Sequence, residues 1–351
     1  MIDLRLLEYR TVAITPDGEQ LDITDITTDL GWEESEREFS SRLSMKIYNA
    51  MYKGKYMSEI IQPMTPLIVY VLCNGTSQEV VRGTVASWGV VDSNGTQSIS
   101  LTAYDELKAL RECQDDEYFP DGLSSKQIIT SIFDKWGVKY EYNGPDVPQS
   151  KWTFKKNYIS DMVKKILDDV RKKGKGVYFL RAKEGIVHVL ERGSNEDVYH
   201  FDADTNLIQV QDNFSTESLV TRVKIIGKSK ESSRPPVEAT IDGHTEYGIK
   251  QVIMERPQNK TLEEVTDSAN QLLKEKGSLK RTTSLQGPDV PFIRKGDRVR
   301  IESGSMQGFW FITSIRHNAD DKKMTFKVVE DKDSNDEQYD TAAEDETSGE
   351  E

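Results

Sequence analysis

Four histidines are the side chains of this sequence best suited to bind a metal or to transfer a proton. They are His188, His200, His244 and His317. None belongs to an HExxH pattern or lies at metal-ligand spacing from a cysteine, so a metal site would need three ligands brought together by folding alone. The two cysteines, Cys73 and Cys113, are far apart, and we expect free, buried thiols. The sequence predicts no metal site and no cofactor.

Several other patterns could support phosphate binding or hydrolysis, but none is a complete motif. Gly227-Lys228-Ser229 ends like a P-loop, but that motif needs a glycine five residues earlier, where Arg222 stands. The turn from Lys172 to Gly176 is glycine-rich and is expected to carry solvated lysines. The acidic run Asp115 to Glu117 is typical of a solvated loop, and no G-x-S-x-G elbow is present. The sequence predicts no catalytic residue and no enzyme activity.

One basic cluster could bind a polyanion. Residues 151 to 175 contain nine Lys or Arg against three Asp, with Trp152, Phe154 and Tyr158 among them. Aromatic rings and cations can stack on and neutralise single-stranded nucleic acid. The lysines also flank the apolar face of an amphipathic helix, which is typical of a solvated outer face or of a surface that docks a protein. A solvated face is favoured over both alternatives.

Charge is concentrated at one end of the chain. The 351 residues carry a net charge of −14, and Glu330 to Glu351 hold eleven acids and one lysine, a net −10 that leaves −4 for the rest. Residues 331–351 are therefore predicted to be a disordered acidic tail. A near-neutral body argues against specific nucleic-acid binding. The sequence shows no membrane anchor and no secretion signal, so we expect synthesis in the cytoplasm.

Strand patterns dominate residues 1 to 104. Leu67 to Leu72, Val80 to Val91 and the alternation around Leu101 are apolar runs separated by Asn74-Gly75 and Asn94-Gly95, the dipeptides of tight hairpins. The segment from Leu30 to Ile47 is interpreted as a loop that feeds a strand.

Three helices are predicted from start signals and a helical apolar period. The first follows a capping box at Ser124 to Gln127 and ends at Gly137. The second begins at Ser160 and ends near Gly174. The third follows a capping box at Thr261 to Glu264 and ends at Gly277.

The last strand-rich segment, Gly287 to Asp331, contains no catalytic pattern and needs partner strands. Its predicted partners lie at about 200 to 228 rather than in the N-terminal block. The chain is thus predicted to be α+β and β-rich, with strand-rich segments around two inserted helix-containing domains. The predicted boundaries are 1–104 for the first strand-rich domain, 105–198 for an α+β insert, 199–235 with 285–330 for the second strand-rich domain, and 236–284 for a helix-containing insert.

Six segments resemble one known family. They are DITDITTDLGWEESEREFSSRLSM (Asp22 to Met45), Ala103 to Gly122, KGKGVYFLRA (Lys173 to Ala182), SLVTRVKIIGK (Ser218 to Lys228), NKTLEEV (Asn259 to Val265) and GPDVPFIRKGDRVRI (Gly287 to Ile301). Together they resemble the baseplate hub proteins of contractile phage tails and tailocins, of the PBSX-prophage type, related to the late control protein D and T4-type hubs. Their number and order, rather than any one residue, carry the resemblance.

The resemblance implies a structural role. In such a hub each chain carries two tube-like β-barrels, which would be the strand-rich domains 1–104 and 199–235 with 285–330. The hub is a homotrimer that joins the sixfold tail tube to the threefold central spike, and it forms part of the central channel. The implied partners are the spike protein, the tail tube or tube-initiator protein, a LysM-type baseplate protein and the tape-measure protein. The implied location is a virion or tailocin particle assembled in the bacterial host cytoplasm. A tail-associated cell-wall hydrolase or a peptidoglycan-binding module remains the alternative.

Overall fold

The computed structural model describes residues 6–35, 38–73, 75–93, 95–228, 234–257, 261–304 and 306–331. This part of the chain contains 23 strands and five α-helices, which confirms the predicted α+β, β-rich class. The chain divides into two compact units, Met1–Val210 with Ser284–Glu351, and Gln211–Thr283. None of the described helices combines the length and the apolar character needed to cross a bilayer. The predicted acidic tail lies outside the described residues from position 332 onward.

The N-terminal part of the first unit is built almost entirely from strands. Its elements are β1 (Glu8–Ile14), β2 (Gln20–Asp22), a 3₁₀ turn (Thr24–Ile26), β3 (Thr27–Glu34), β4 (Arg42–Tyr48), β5 (Met51–Tyr52), β6 (Lys55–Tyr56), α1 (Met57–Ile60), β7 (Pro66–Cys73), β8 (Thr76–Ser93) and β9 (Thr96–Tyr104). The predicted hairpins are present, because Cys73 pairs with Thr76 and Ser93 with Thr96. Gly75 and Gly95 have φ near +80°, which glycine adopts without strain. Asn74 and Asn94 lie outside the described residues.

A helix-containing segment follows in the same unit. Its elements are α2 (Leu107–Glu112), β10 (Gln114–Phe119), α3 (Ser125–Lys135), β11 (Tyr140–Tyr142), β12 (Trp152–Tyr158), α4 (Ile159–Lys172), β13 (Tyr178–Lys183) and β14 (Ile186–Glu191). The predicted start of α3 is confirmed, since Ser124 caps the helix and Gln127 bonds back to it. The buried faces of α3 and α4 share a core with Leu180 and Val189.

The remaining strands belong partly to each unit. They are β15 (Tyr199–Asp202), β16 (Gln209–Ser215), β17 (Arg222–Ile226), β18 (Val237–Asp242), β19 (Gln251–Glu255), β20 (Lys280–Pro288), β21 (Arg298–Ser303), β22 (Met306–Asn318) and β23 (Lys323–Glu330). The second unit also contains a 3₁₀ turn (Thr245–Tyr247) and the predicted third helix, α5 (Leu262–Lys276), capped by Thr261 and Glu264. In this unit α5 packs its buried Val265 and Ala269 against Val223 and Ile225 of the sheet β18-β17-β19.

One large sheet joins strands from both ends of the sequence. Its order is β16-β20-β23-β22-β3-β4-β9-β8-β7-β1-β2, with β21 attached to β22 and β15 to β21. One apolar core lies along β1–β9, and a separate one lies along β15 and β20–β23. Among the described pairings the two ends of this path do not meet, so closure into two barrels stays a prediction, as do the four predicted domain boundaries.

Two sequence predictions differ from the structure at the same place. Residues 30–34 are not a loop but the second half of β3, where Leu30, Trp32 and Glu34 are buried. The closing strands do pair with β15, but they also pair with the N-terminal block, against expectation. The reason is length, because the 13-residue β22 pairs with β21 along Met306–Phe311 and then with β3 along Ile315–Asn318.

The seam between β3 and β22 is fixed by side chains as well as by backbone pairing. Trp32 and His317 are cross-strand partners, and their rings stack 4.7 Å apart at 15°. His317 Nδ1 lies 2.6 Å from Asp289 Oδ1, Nε2 lies 3.1 Å from the Ile293 carbonyl, and Tyr9 donates to Asp289. Burial, with Asp289 adding to it, raises the pKa of Tyr9 above its usual range.

Gly31 permits the close approach of β22 at this seam. A Cβ at position 31 would lie 2.7 Å from the His317 carbonyl oxygen, closer than van der Waals contact allows. The glycine is therefore required by the backbone of the neighbouring strand rather than by its own φ.

We predict that Trp32→Ala lowers the free energy of unfolding by about 3–5 kcal/mol, because a large buried ring is lost together with its stack on His317. Trp136→Ala is the matched control, since that indole is 37% exposed, and a change of under about 1 kcal/mol is expected for it. Urea unfolding followed by circular dichroism measures both. Equal losses for the two variants would contradict the importance of the seam.

Candidate functional site

The structure keeps the four histidines apart. His188 pairs with Glu141, His244 with Glu246, and His317 with Asp289. Among the described residues, only His200 joins a group of possible metal ligands, with Asp202 and Glu302. The predicted free thiols are free but only partly buried.

The group around His200 arises from the parallel pairing of β15 with β21, which places Asp202 opposite Glu302. One ligand atom from each of the three residues lies within 4.8 Å of the others. His200 Nε2 is 3.3 Å from Glu302, whose other oxygen accepts a 2.6 Å bond from Arg300. Asp202 accepts the Asp204 backbone N–H at 2.7 Å, so each member of the group already has a partner within the chain. Sequence spacing shows only His200 and Asp202, because Glu302 follows a hundred positions later.

The other patterns with possible chemistry are used locally. Asp115 and Glu117 both bind Lys135 Nζ, at 2.5 and 2.6 Å, and the Lys135 hydrogen bond lowers the pKa of Asp115. Gly174 and Gly176 form the turn after α4 with positive φ. Ser229 of the Gly-Lys-Ser run lies outside the described residues.

The basic cluster presents an exposed lysine face over a buried aromatic layer. Phe154 is 2% exposed and stacks on Trp152 at 5.4 Å. Lys165 Nζ lies 5.7 Å above the Phe154 ring, and the lysines of α4 face outward while Met162, Val163 and Ile166 are buried. Since Phe154 belongs to the core, it cannot stack on a nucleic-acid base.

The most densely connected polar site is one that the sequence did not predict. We call it the buried charge cluster, and its members are Glu34, Asp105, Arg181, Arg294, Lys295 and Asp297. Glu34 ends β3, Asp105 follows β9, Arg181 lies on β13, and the other three precede β21. Three distant segments and the helix-containing insert therefore meet at one point within the first unit.

Glu34 is the centre of the cluster. It is 5% exposed and forms an ion pair with Arg294. Its other oxygen accepts the Lys295 backbone N–H at 2.9 Å, while Lys295 Nζ donates to the Ser35 and Glu38 carbonyls. These bonds fix the segment after β3 against the turn before β21.

Arg181 connects the insert to the same turn. One of its nitrogens donates to Asp297 and to the Lys295 carbonyl, both at 2.6 Å. Asp297 in turn accepts the Arg294 backbone N–H at 2.8 Å. A planar guanidinium with several donors suits this bridging position.

Asp105 closes the cluster at the end of β9. Its two oxygens accept the backbone N–H groups of Ser41 at 2.9 Å and Leu107 at 3.2 Å. Ser41 is also bonded to the cluster, because its hydroxyl lies 3.1 Å from Arg294 and 3.3 Å from Glu34.

The cluster separates the pKa values of its two most buried carboxyls. Burial raises the pKa of Glu34, but the charges of Arg294, Arg181 and Lys295 outweigh burial and hold it at about 2. Burial raises the pKa of Asp105 to about 7, and the hydrogen bond from Ser41 only partly opposes it. Burial also lowers the pKa of Lys295.

A cleft of about 290 Å³ opens beside the cluster, with Arg181, Arg294, Asp297 and Tyr199 in its wall. The cations and carboxylates there are bonded to each other. The bonds of the buried charge cluster therefore hold the chain segments that supply it in fixed positions.

Comparison with known proteins identifies the family. A model of the YQBQ-like family matches residues 31–329. The chain belongs to the YQBQ-like family. No curated protein matches it at a significant level.

Solved structures define the fold of this YQBQ-like chain. The 43 kDa tail protein of prophage MuSo2 from Shewanella oneidensis superposes with a TM-score of 0.67 at 14% identity, over 91% of this chain and 98% of that one. The tail protein from Neisseria meningitidis MC58 gives 0.65 at 12% identity, over 92% and 97%. Escherichia coli c3393, a type VI secretion component with structural similarity to the T4 tail proteins gp27 and gp5, gives 0.51 at 9% identity, over 94% and 76%. The expected relation to phage tail proteins is confirmed for the fold.

We predict that Glu34→Gln destabilises the first unit by about 3–5 kcal/mol, because it leaves Arg294 and Lys295 buried without their central counter-charge. Glu19→Gln is the control, since Glu19 pairs with Lys53 at an exposed site, and exposed pairs contribute about 1 kcal/mol or less. Urea denaturation measures the difference. A Glu34 variant as stable as the control would remove the central role of this carboxylate.

Asp105 should make stability fall with rising pH. Its folded pKa of about 7 lies above 3.8, the ordinary pKa of an aspartate side chain, so the folded state binds more protons than the unfolded state between these limits. The free energy of unfolding should therefore decrease as pH rises from 5 to 7.5, by on the order of 1–3 kcal/mol. The lowered pKa of Glu34 changes the free energy of unfolding only at lower pH, outside this window.

Asp105→Asn removes this titration and should flatten the pH dependence, although the amide cannot accept both backbone hydrogen bonds. Asp161→Asn on the exposed face of α4 is the control and should retain the dependence found in the parent chain. Parallel pH profiles for the parent and the Asp105 variant would contradict the assignment.

Proposed function

We propose that this chain is a structural baseplate hub of a contractile tail or tailocin. In this role three copies would form an adaptor between the sixfold tail tube and the threefold central spike, and would enclose part of the central channel. The hub would occupy the tail baseplate of the assembled particle.

The observation that carries the proposal is the likeness to the MuSo2 tail protein, which extends over 91% of this chain and 98% of that one. The whole architecture is therefore shared, rather than one domain of it. The likeness to c3393 supports the hub role specifically, because c3393 is itself similar to the T4 tail proteins gp27 and gp5.

The arrangement of strands suits a ring-building protein. Two apolar cores lie along one continuous sheet. Each chain would then contain two similar segments, and a trimer would contain six. Within the described pairings of the first unit, β2 pairs only with β1, and β15 only with β21. Such edges would be protected if a neighbouring subunit paired with them.

The proposed partners are those that the family resemblance implies. The spike protein would bind below the ring, and the tail tube or tube-initiator protein above it, with a LysM-type baseplate protein at the outside. The tape-measure protein would pass through the channel. A body with a net charge of only −4 would bind DNA phosphates weakly, which suits a channel that a polyanion must traverse.

An exposed apolar row offers a subunit contact. Tyr48 and Val91 both pair with Ser98, from opposite sides, so the three side chains share a face of the sheet. Tyr48 is 48% and Val91 49% exposed. Adjacent exposed apolar side chains favour self-association, and the occupant that we assign to this row is a second copy of the chain.

We predict that the purified chain forms a trimer, either alone or when bound to its spike protein. The trimer alone should have three times the 40.0 kDa mass of one chain. Light scattering after size-exclusion chromatography measures this. The double variant Tyr48→Ser with Val91→Ser should weaken trimerisation about tenfold or more, because about 1.4 kcal/mol of apolar contact is lost. Val198→Ser, which removes another exposed valine, is the control.

A chain that stays monomeric both alone and with the spike would overturn the hub proposal. Binding to insoluble cell-wall material, or clearing in a zymogram, would instead support the alternative wall-binding or hydrolytic role. An unchanged trimer in the double variant would reject only the assigned contact.

A further inference from the structure

The helix-containing insert carries a lysine face with an excess of positive charge, because residues 151 to 175 contain nine Lys or Arg against three Asp. We define the basic face by six exposed lysines, Lys155, Lys156, Lys164, Lys165, Lys172 and Lys175. The neighbouring Arg171 and Lys173 are paired with Asp168 and Asp169. Among the described residues, no carboxylate forms an ion pair with any of the six lysines.

Contacts hold these lysines in one area. Lys165 Nζ lies over Phe154 of β12, which places β12 beside α4. Lys173 Nζ donates to the Pro148 carbonyl at 2.7 Å, so the segment leading into β12 also runs along the end of the helix. Lys164, Lys165 and Lys172 lie on the outer face of α4 and Lys175 follows its end. These four charges repel one another at a single surface, and an anionic partner would relieve that repulsion.

The chain itself contains a segment of opposite charge. Residues 332–351 hold nine acids and one lysine, a net charge of −8. We call this the acidic segment. It contains Ala342 and Ala343 but no larger aliphatic side chain, so it cannot form a core of its own.

The acidic segment starts close to the basic face. Asp331 is bonded to Arg298 at 3.0 Å, and Arg298 is the strand partner of Phe311. The Arg192 guanidinium lies 4.4 Å above the Phe311 ring, and the Arg192 N–H donates to the Val177 carbonyl at 2.8 Å. Val177 is two residues from Lys175. These four contacts span on the order of 20 Å, at about 5 Å between neighbouring backbones.

The length of the segment is sufficient for this distance. Twenty residues reach at most about 65 Å when extended, and a flexible chain of this length has a typical end-to-end distance of about 25 Å. Tethering at Asp331 also gives the segment an effective concentration on the order of millimolar at the basic face. Weak, salt-sensitive attraction is then enough for substantial occupancy.

We propose that the acidic segment binds the basic face of the same chain and covers it until a stronger polyanionic or acidic partner displaces it. The covered lysines would not capture nucleic acid or other polyanions unspecifically. The basic face would be covered in this way whether or not the chain serves in a baseplate.

Zero-length carbodiimide crosslinking of the full chain tests this directly, with ¹⁴N- and ¹⁵N-labelled chains mixed in equal amounts. Peptide mapping should find crosslinks between the acidic segment and Lys164, Lys172 or Lys175 within chains of one isotope. Their yield should fall about tenfold or more between low salt and about 0.5 M salt, where the screening length is only a few ångströms.

Matched charge variants and a competition measurement complete the test. Replacing Lys164, Lys165, Lys172 and Lys175 by Gln should remove the intramolecular crosslinks between the acidic segment and the basic face. Replacing the exposed Lys55, Lys126, Lys139 and Lys323 by Gln should leave them. A synthetic peptide of residues 333–351 should bind a full chain whose acidic segment is neutralised to Asn and Gln, and bind the parent chain at least about tenfold more weakly, because the tethered segment competes.

Mixed-isotope crosslinks would assign the basic face to a second copy and overturn the proposal. Crosslinks spread evenly over all exposed lysines, or their absence from the basic face, would overturn it as well. Equal peptide affinity for the parent and neutralised chains would do the same.

Discussion

The ion pair between Glu34 and Arg294 is the constraint on which the first unit depends. These residues are 260 positions apart, yet the charge of Glu34 is tolerable in the interior only when Arg294 and Lys295 lie against it. Burial of an unpaired carboxylate is strongly unfavourable, so partial assembly of this region is penalised. The pairing of β3 with β22 brings the two ends of the sequence together, and the buried charge cluster makes their relative position specific. Arg181 extends the same requirement to the insert.

The cost of this arrangement is entropic. The closure entropy of a loop of about 260 residues must be overcome before these long-range contacts are gained, which makes such pairings slow to form. The contacts at the seam are correspondingly strong: four cross-strand pairs, the stack of Trp32 on His317, and the hydrogen bonds of Asp289. They combine buried aromatic rings with hydrogen bonds to the Asp289 carboxylate, and both are shielded from water.

Local patterns predicted the elements that depend on neighbours in sequence. Ser124 and Thr261 mark the starts of α3 and α5 because capping is a contact over three residues. The hairpin turns at Gly75 and Gly95 are equally local. In contrast, β3 was missed because Glu33 and Glu34 make its end look solvated, and only the distant Arg294 explains why Glu34 is inside. The two pairings of β22 were missed because alternation gives a strand and its faces but not its partners.

The buried charge cluster also explains why the family resemblance contains no catalytic pattern. Four of the six resembling segments supply it, with Glu34 in the first, Asp105 in the second, Arg181 in the third, and Arg294, Lys295 and Asp297 in the last. Charged residues in such segments suggest a reaction when they are considered one by one. Considered together, each cation faces a carboxylate or a carbonyl from another segment, so the residue types are dictated by the junction.

A single strand runs past both apolar cores of the sheet, and this has a mechanical consequence. At about 3.3 Å per residue, β22 extends on the order of 40 Å, from Met306 in one core to the seam with β3 beside the other. Displacing the two cores along this strand would require breaking the β3 pairing and pulling Arg294 away from Glu34. The backbone hydrogen bonds and the buried ion pair would then be lost together. The two halves of the sheet therefore respond to load as one element.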